Sequence, residues 1–181
     1  MLEDRILVWR FNHGRPEVLH LVYEKYKTDL MTLATALLGD LATAEDVVHD
    51  VFLSLLKLSG RVKLTGSLKG YLTTSVMNGA RNVIRAHRRH PTGELDEADP
   101  IPAQDTMPDD AAVIKEQLDR LKWALGELPY EQREVLVLRV YGPMAFKEIA
   151  RQQGIGTNTA LGRYRYAVDR LRSMLNSEVT Q

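Results

Sequence analysis

Basic and amide side chains concentrate in two segments of the sequence, residues 68–90 and 162–172. The first holds five lysines or arginines, the asparagines Asn78 and Asn82, and no acidic residue. The second, GRYRYAVDRLR, holds four arginines and two tyrosines. Arginine binds phosphate oxygens and asparagine hydrogen-bonds base edges, whereas a solvated helix face usually mixes both signs of charge. The first segment therefore favours nucleic-acid binding, and the second is a further candidate.

A third polar cluster lies on one face of a predicted helix, where Asp46, His49, Asp50, Leu53 and Lys57 follow helical spacing. The opposite face carries the apolar residues Val47, Val48, Val51, Phe52, Leu55 and Leu56. A leucine among carboxylates suits docking to another protein, although a solvated face with one leucine has the same pattern. A metal held by Asp46, His49 and Asp50 is a weaker alternative, because no further ligand is evident.

The sequence offers no group for catalysis. It contains no cysteine, which excludes disulfides, thiol nucleophiles and cysteine-based zinc sites. It has no glycine-rich phosphate loop, nucleophile elbow or credible acid–base pair. We therefore expect a protein that is not an enzyme and needs no cofactor or metal. The N-terminus lacks the order of a signal peptide and no apolar run is long enough to span a bilayer, so we expect a cytoplasmic location without membrane insertion.

Charges are unevenly distributed although the formal net charge is zero. Residues 1–90 hold 13 basic and 9 acidic side chains, residues 91–110 hold none and 7, and residues 111–181 hold 11 and 8. The middle segment also holds four of the seven prolines, a composition typical of a flexible linker. We expect two small domains, residues 10–90 and 111–177, joined by an acidic proline-rich linker over residues 91–110. Fully extended, this linker would reach about 60 Å.

The expected fold class is all-α, because apolar residues recur three and four positions apart and no alternating strand pattern appears. The pattern predicts seven helices, over residues 16–38, 43–60, 67–89, 110–125, 129–141, 145–153 and 158–175. Gly39 stops the first, and Thr43 is the expected cap of the second. The last two, joined by GIGT, form a helix-turn-helix whose second helix turns Thr159, Arg163 and Tyr166 outward.

Four motifs occur in a recognisable order: LATAEDVVHDVFLSLLK, GYLTTSVMNGARNVIRAHRR, LPYEQREVLVLRVYG and KEIARQQGIGTNTALGRYRYAVDRLR. Over about residues 16–176 they resemble a bacterial RNA polymerase sigma factor of the extracytoplasmic-function (ECF) type. The resemblance implies a region 2 domain that docks on core RNA polymerase and binds the minus-ten promoter element. It also implies a region 4 helix-turn-helix domain that binds the minus-thirty-five element, so that the protein directs transcription initiation. An anti-sigma factor is a further partner that the resemblance allows.

The resemblance also implies site residues. The residues implied to bind polymerase are Asp46, His49, Asp50 and Leu53. The residues implied to bind DNA in the N-terminal half are Lys63, Asn78, Arg81, Asn82, Arg85, Arg88 and Arg89, with Asn78 and Asn82 on bases of the opened strand. Those in the C-terminal half are Thr159, Arg163, Arg165, Tyr166 and Arg170. Tyr71, Thr73 and Thr74 stand where the family usually has a tryptophan, a tyrosine and a basic residue.

Two other functions remain compatible with parts of the sequence. A helix-turn-helix DNA-binding regulator that is not a polymerase subunit would explain the basic faces, but it does not need the Asp46–Leu53 docking face. A helical adaptor without nucleic acid would leave the acid-free segment 68–90 unexplained.

Overall fold

The computed structural model describes residues 2–15, 17–89, 109–142 and 144–176, and within these ranges every regular element is a helix. The eight helices are α1 Leu2–Asn12, α2 Glu17–Leu38, α3 Leu41–Leu58, α4 Leu68–Arg89, α5 Asp109–Gly126, α6 Tyr130–Val140, α7 Phe146–Gln153 and α8 Thr157–Asn176. The expected all-α class is confirmed. None of the described helices combines the length and the apolarity that crossing a bilayer requires. Most of the predicted linker, residues 91–108, lies outside the described residues, and its last two residues belong to α5.

Helix α2 is the centre of the N-terminal half and packs against α1, α3 and α4. Its buried residues recur at spacings of three and four and so form one stripe along the helix: Val18, Val22, Tyr26, Leu30, Leu33 and Leu37. Helix α1 was not predicted from the sequence. Only two of its described side chains, Leu7 and Phe11, are buried, so its apolar pattern is weak.

The start of α3 differs from the sequence expectation. The helix begins at Leu41, and the cap is Asp40 rather than Thr43, because the Asp40 carboxylate accepts a hydrogen bond from the Thr43 backbone N–H at 2.7 Å. Hydrogen bonds from the Thr43 side chain and backbone hold the pKa of Asp40 below its usual value. The predicted stop of α2 is confirmed, since Gly39 has φ +81°, a conformation that favours glycine.

The C-terminal half contains the predicted helix-turn-helix. Helix α7 ends at Gly154 in the left-handed conformation, with φ +66°, and α8 follows after a short turn. The start of α7 lacks a serine or threonine cap, and the Glu148 carboxylate accepts the Ala145 N–H at 2.9 Å instead. Phe146 of α7 meets Tyr164 of α8 edge to face at 5.3 Å, which fixes the two helices against each other.

The two halves share one hydrophobic core, which the sequence did not predict. Val135, Leu138 and Ile149 of the C-terminal half belong to the same buried cluster as the side chains of α2, α3 and α4. Arg133 on α6 donates to the carbonyl of Leu37 at the end of α2, at 3.0 Å. Gly142 lies so close to Thr73 of α4 that a Cβ added at Gly142 would be 3.1 Å from Thr73 Cγ2. This contact joins α4 to the C-terminal half. The two halves therefore pack directly on each other, and we call this packing the closed arrangement.

Candidate functional site

The face of α3 predicted to dock on polymerase is exposed. Asp46, His49 and Asp50 are exposed, and Leu53 is 40% exposed although it is a large apolar side chain. The opposite face is buried at Val47, Val48, Val51 and Leu55, whereas Leu56, expected in the core, is 54% exposed. Within the described residues, no three histidine, aspartate or glutamate side chains could together hold a metal ion, so the metal alternative gains no support.

Most of the DNA-binding residues predicted on α4 also lie on an exposed face. The exposed members are Asn78, Asn82, Arg85, Arg88 and Arg89. Lys63 is exposed in the loop of residues 59–67 that precedes α4. Thr73 is 2% exposed, so this side chain cannot contact DNA in the described arrangement.

Arg81 is the exception on α4, because it is bound to the other half of the molecule. Its Nε and Nη2 donate to the two carboxylate oxygens of Glu134 on α6 at 2.7 and 2.9 Å, and its Nη1 donates to the carbonyl of Gln152 at 2.8 Å. Glu134 is only 1% exposed. This is the two-point geometry in which arginine binds a carboxylate most strongly. Burial lowers the pKa of Arg81, but the bond and charge of Glu134 outweigh it and raise the pKa above its usual value.

The Glu134 carboxylate also connects Arg81 to α8, the helix predicted to bind DNA. Gln153 donates to Glu134 Oε2 at 2.6 Å, and Arg163 of α8 donates to Gln153 Oε1 at 2.7 Å. Tyr130 donates to Glu134 Oε1 at 3.0 Å, and burial together with the Glu134 charge raises the pKa of this tyrosine. One predicted DNA-binding residue from each half is therefore held in a single hydrogen-bonded network, which we call the Glu134 network.

The other predicted residues of α8 face outward. Thr159, Arg165 and Arg170 are exposed, and Tyr166 is 71% exposed. Ala160 and Ala167 are buried on the opposite side of the helix. The two tyrosines of the segment thus divide as the spacing predicted, with Tyr164 against Phe146 and Tyr166 beside the arginines.

Two family models match the chain, Sigma-70 region 2 over residues 22–90 and Sigma-70, region 4 over residues 124–173. The ECF RNA polymerase sigma factor SigL of Mycobacterium tuberculosis is 31% identical over 165 residues, which cover 87% of this chain and 89% of SigL. The chain belongs to the ECF sigma factors. RNA polymerase sigma factor CarQ of Myxococcus xanthus is also similar, at 26% identity over 168 residues covering 92% of this chain and 94% of CarQ.

Two solved structures have a similar fold. CnrH, in complex with the cytosolic domain of CnrY, has a TM-score of 0.69 at 20% identity and covers 97% of this chain and 98% of its own. Sigma factor RpoE, in complex with the anti-sigma factor NepR from Bartonella quintana, has a TM-score of 0.64 at 21% identity and covers 87% of this chain and 98% of its own. These likenesses concern the fold.

Family membership assigns the function expected from the motifs. This ECF sigma factor works with core RNA polymerase and promoter DNA and directs transcription initiation. Sigma factors are generally specificity subunits rather than enzymes.

Sequence reasoning missed the residues that join the two halves of this ECF sigma factor. Glu134 and Gln153 were not singled out, although Glu134 is an acid inside the apolar run EVLVL. A buried carboxylate requires a partner that compensates its charge, so an acid directly before four successive apolar residues was a usable signal. The sequence could not name the partner, because Arg81 lies 53 residues away.

Proposed function

We propose that this ECF sigma factor docks on core polymerase through α3 and binds promoter DNA through α4 and α8. The docking residues are Asp46, His49, Asp50 and Leu53. The residues for the minus-ten element are Lys63, Asn78, Arg81, Asn82, Arg85, Arg88 and Arg89. Those for the minus-thirty-five element are Thr159, Arg163, Arg165, Tyr166 and Arg170. Residues 10–90 and 111–177 act as the two DNA-binding modules, joined by residues 91–110.

The observation that carries the proposal is that three polar faces stay exposed around one shared core. The acidic face of α3 contains an exposed Leu53, as protein docking requires. The exposed face of α4 combines amide and guanidinium groups without an acid. Asparagine amides can hold unstacked bases by hydrogen bonds, while arginines bind the phosphates beside them. The protein needs no catalytic group for this work, and its place of action is the cytoplasm, where core polymerase is found.

The closed arrangement is the form that binds duplex promoter DNA weakly. The Arg81 guanidinium makes three hydrogen bonds within the protein and the Arg163 guanidinium makes one to Gln153, so both must leave these partners to bind DNA fully. Binding to both promoter elements therefore requires the halves to separate, and docking on polymerase supplies the free energy for that separation. An anti-sigma factor is a further proposed partner, since the similar RpoE is bound to one.

Run-off transcription with core polymerase tests the proposal directly. We expect a transcript from a cognate promoter only when this protein is added. The same reaction with the α3 face disrupted should fail although the variant keeps the native circular dichroism and binds duplex DNA as weakly as the unmodified free protein. A protein that binds promoter DNA but neither joins core polymerase nor supports transcription would instead be a helix-turn-helix regulator.

A further inference from the structure

A second candidate DNA site lies between α1 and the loop of residues 59–67. A cavity of about 580 Å³ opens there, and its lining includes Arg5, Trp9 and Asn12 from α1 and Thr65 and Ser67 from the loop. Helix α1 precedes residue 22, where the Sigma-70 region 2 match begins. No role was assigned to this helix by the sequence motifs.

Trp9 supplies a large exposed ring on this cavity. The side chain is 54% exposed, although the same helix packs on the core through Leu7 and Phe11. The His13 ring lies against the indole at 4.4 Å between centroids, and His13 Nδ1 is 2.7 Å from the Trp9 carbonyl oxygen. These contacts limit rotation of the indole while one face of it remains accessible to a ligand.

The loop side of the cavity is fixed in advance. The Asn12 side chain accepts from the Leu64 N–H at 2.8 Å and donates to the Leu64 carbonyl at 3.1 Å, so both backbone groups of one loop residue are bound. The Gly60 N–H donates to the Phe11 carbonyl at 3.2 Å. Gly60 has φ +71°, and a Cβ there would lie 3.0 Å from the Gly14 backbone. These internal bonds fix the loop wall of the cavity, which lowers the entropic cost of binding a ligand there.

The charges around the cavity fit a nucleic acid strand. Arg5 is exposed at its edge, and Lys63 is exposed on the same loop. The carboxylate that lines the cavity, Asp4, is bound to Tyr26 and lies 3.3 Å from Lys25 Nζ, which also binds Glu3 at 3.1 Å. Lys25 therefore offsets part of the acidic charge, and Arg5 is the exposed cation on the cavity. A cation beside an exposed aromatic ring is the combination with which proteins bind unpaired bases and their phosphates.

We propose that Trp9 stacks on an unpaired base of the opened promoter strand while Arg5 binds the adjoining phosphate. Asn12 is a positioning residue that holds the loop wall of this site. The inference rests on the proposed function, because the loop leads directly into α4, the helix proposed to hold the opened strand. It extends that single-strand surface onto α1.

Tryptophan fluorescence tests the contact in the full-length chain. Trp9 and Trp123 are the two tryptophans of the sequence, and Trp123 is equally exposed at 55%. Trp123→Phe leaves Trp9 as the sole reporter, and Trp9→Phe leaves Trp123 as the matched control. Short single-stranded DNA should quench Trp9 and leave Trp123 unchanged, and a strand of abasic nucleotides should quench neither. Equal quenching by the abasic strand, or none by the normal strand, contradicts base stacking on Trp9.

The second test uses the holoenzyme and measures the lifetime of the open promoter complex at fixed salt. Trp9→Ala should shorten it about tenfold, as expected for loss of one stacked base. Trp9→Phe should restore most of the lifetime, and Trp123→Ala should have no effect. Arg5→Ala should instead reduce the salt dependence by about one phosphate contact.

Three outcomes of this test have distinct meanings. If the wild-type holoenzyme does not open the promoter, the proposed function fails. If it does and Trp9→Ala has a normal lifetime, the Trp9 site is wrong while the proposed function stands. If Trp9→Ala instead weakens assembly with core polymerase, α1 is a protein contact and the base-stacking proposal is overturned.

Discussion

Glu134→Gln should open the closed arrangement and increase the affinity of the free protein for minus-thirty-five duplex DNA. The carboxylate accepts four hydrogen bonds, two from Arg81 and one each from Tyr130 and Gln153. A glutamine amide has a single acceptor oxygen, so its NH₂ group would replace the other carboxylate oxygen and point at donors that now bind that oxygen. The substitution keeps the volume of the side chain and leaves every residue proposed to bind DNA intact.

The size of the effect follows from the geometry of the pair. Glu134 is 1% exposed and the Arg81 side chain 22%, so solvent screens the interaction only weakly. Hydrogen bonds to charged groups contribute about 1.5–3 kcal/mol each. Water solvates Arg81 once the halves separate, so Glu134→Gln should reduce the free energy that favours the closed arrangement by only about 2 kcal/mol. A change of about 2 kcal/mol shifts the closed–open equilibrium about 30-fold, which is the upper limit of the gain in affinity.

Anisotropy of a labelled duplex, titrated with the free protein, measures this gain. Glu127→Gln is the matched control, because it removes the same charge from an exposed position in the turn before α6. The distance between dyes placed on α3 and α8 should increase in Glu134→Gln and stay unchanged in Glu127→Gln. If the two variants bind duplex with equal affinity and show the same dye distance, the Glu134 network does not hold the halves closed.

Three further perturbations test the proposed faces and the cap of α3. Asp50→Lys should abolish co-purification with core polymerase while the circular dichroism stays native. Glu24→Lys, an exposed charge reversal on α2, should co-purify normally. Normal co-purification of Asp50→Lys would show that α3 is not the docking helix. Replacing both Asn78 and Asn82 by alanine should preserve holoenzyme binding to double-stranded promoter DNA in a gel shift but leave promoter thymines unreactive to permanganate. Normal reactivity would show that these two residues do not hold the opened strand. Asp40→Ala should lower the free energy of unfolding by about 1 kcal/mol at neutral pH. Because the folded pKa of Asp40 is depressed, its contribution is complete above the ordinary value of 3.8 and is lost as the pH falls through the lower folded pKa, so urea denaturation of the two proteins should converge in acid. A difference that does not change with pH would contradict the role of the Asp40 charge.

Apolar periodicity and glycine position were sufficient to predict most of the helices. Seven were predicted within one or two residues of their ends, because features such as the stripe of α2 and the left-handed glycines Gly39 and Gly154 act locally. The cap of α3 was predicted at Thr43 instead of Asp40 because threonine and aspartate are both preferred at the N-cap. Helix α1 was missed because two buried side chains, Leu7 and Phe11, give little periodic signal.

The exposed faces were predicted well, and the contact between the halves was not. Periodicity shows that Arg81 shares a helix face with Asn78 and Arg85, but it does not show what covers that face. The cover comes from Glu134 and Gln152, whose positions depend on how α6 packs on α2 and how α7 packs on α6. Arg163 was placed correctly on α8, and its bond to Gln153 depends on the same packing.

The position of Glu134 within the same chain as Arg81 has a consequence for the response to protein abundance. Glu134 and DNA compete for the Arg81 guanidinium. Because Glu134 and Arg81 belong to one chain, the effective concentration of the carboxylate is fixed by the chain and does not change when the protein is diluted or concentrated. Raising the amount of this sigma factor would therefore leave the closed fraction of free molecules unchanged. The number of open molecules would then rise only in proportion to the total, and binding to free core polymerase would be the step that changes the closed fraction.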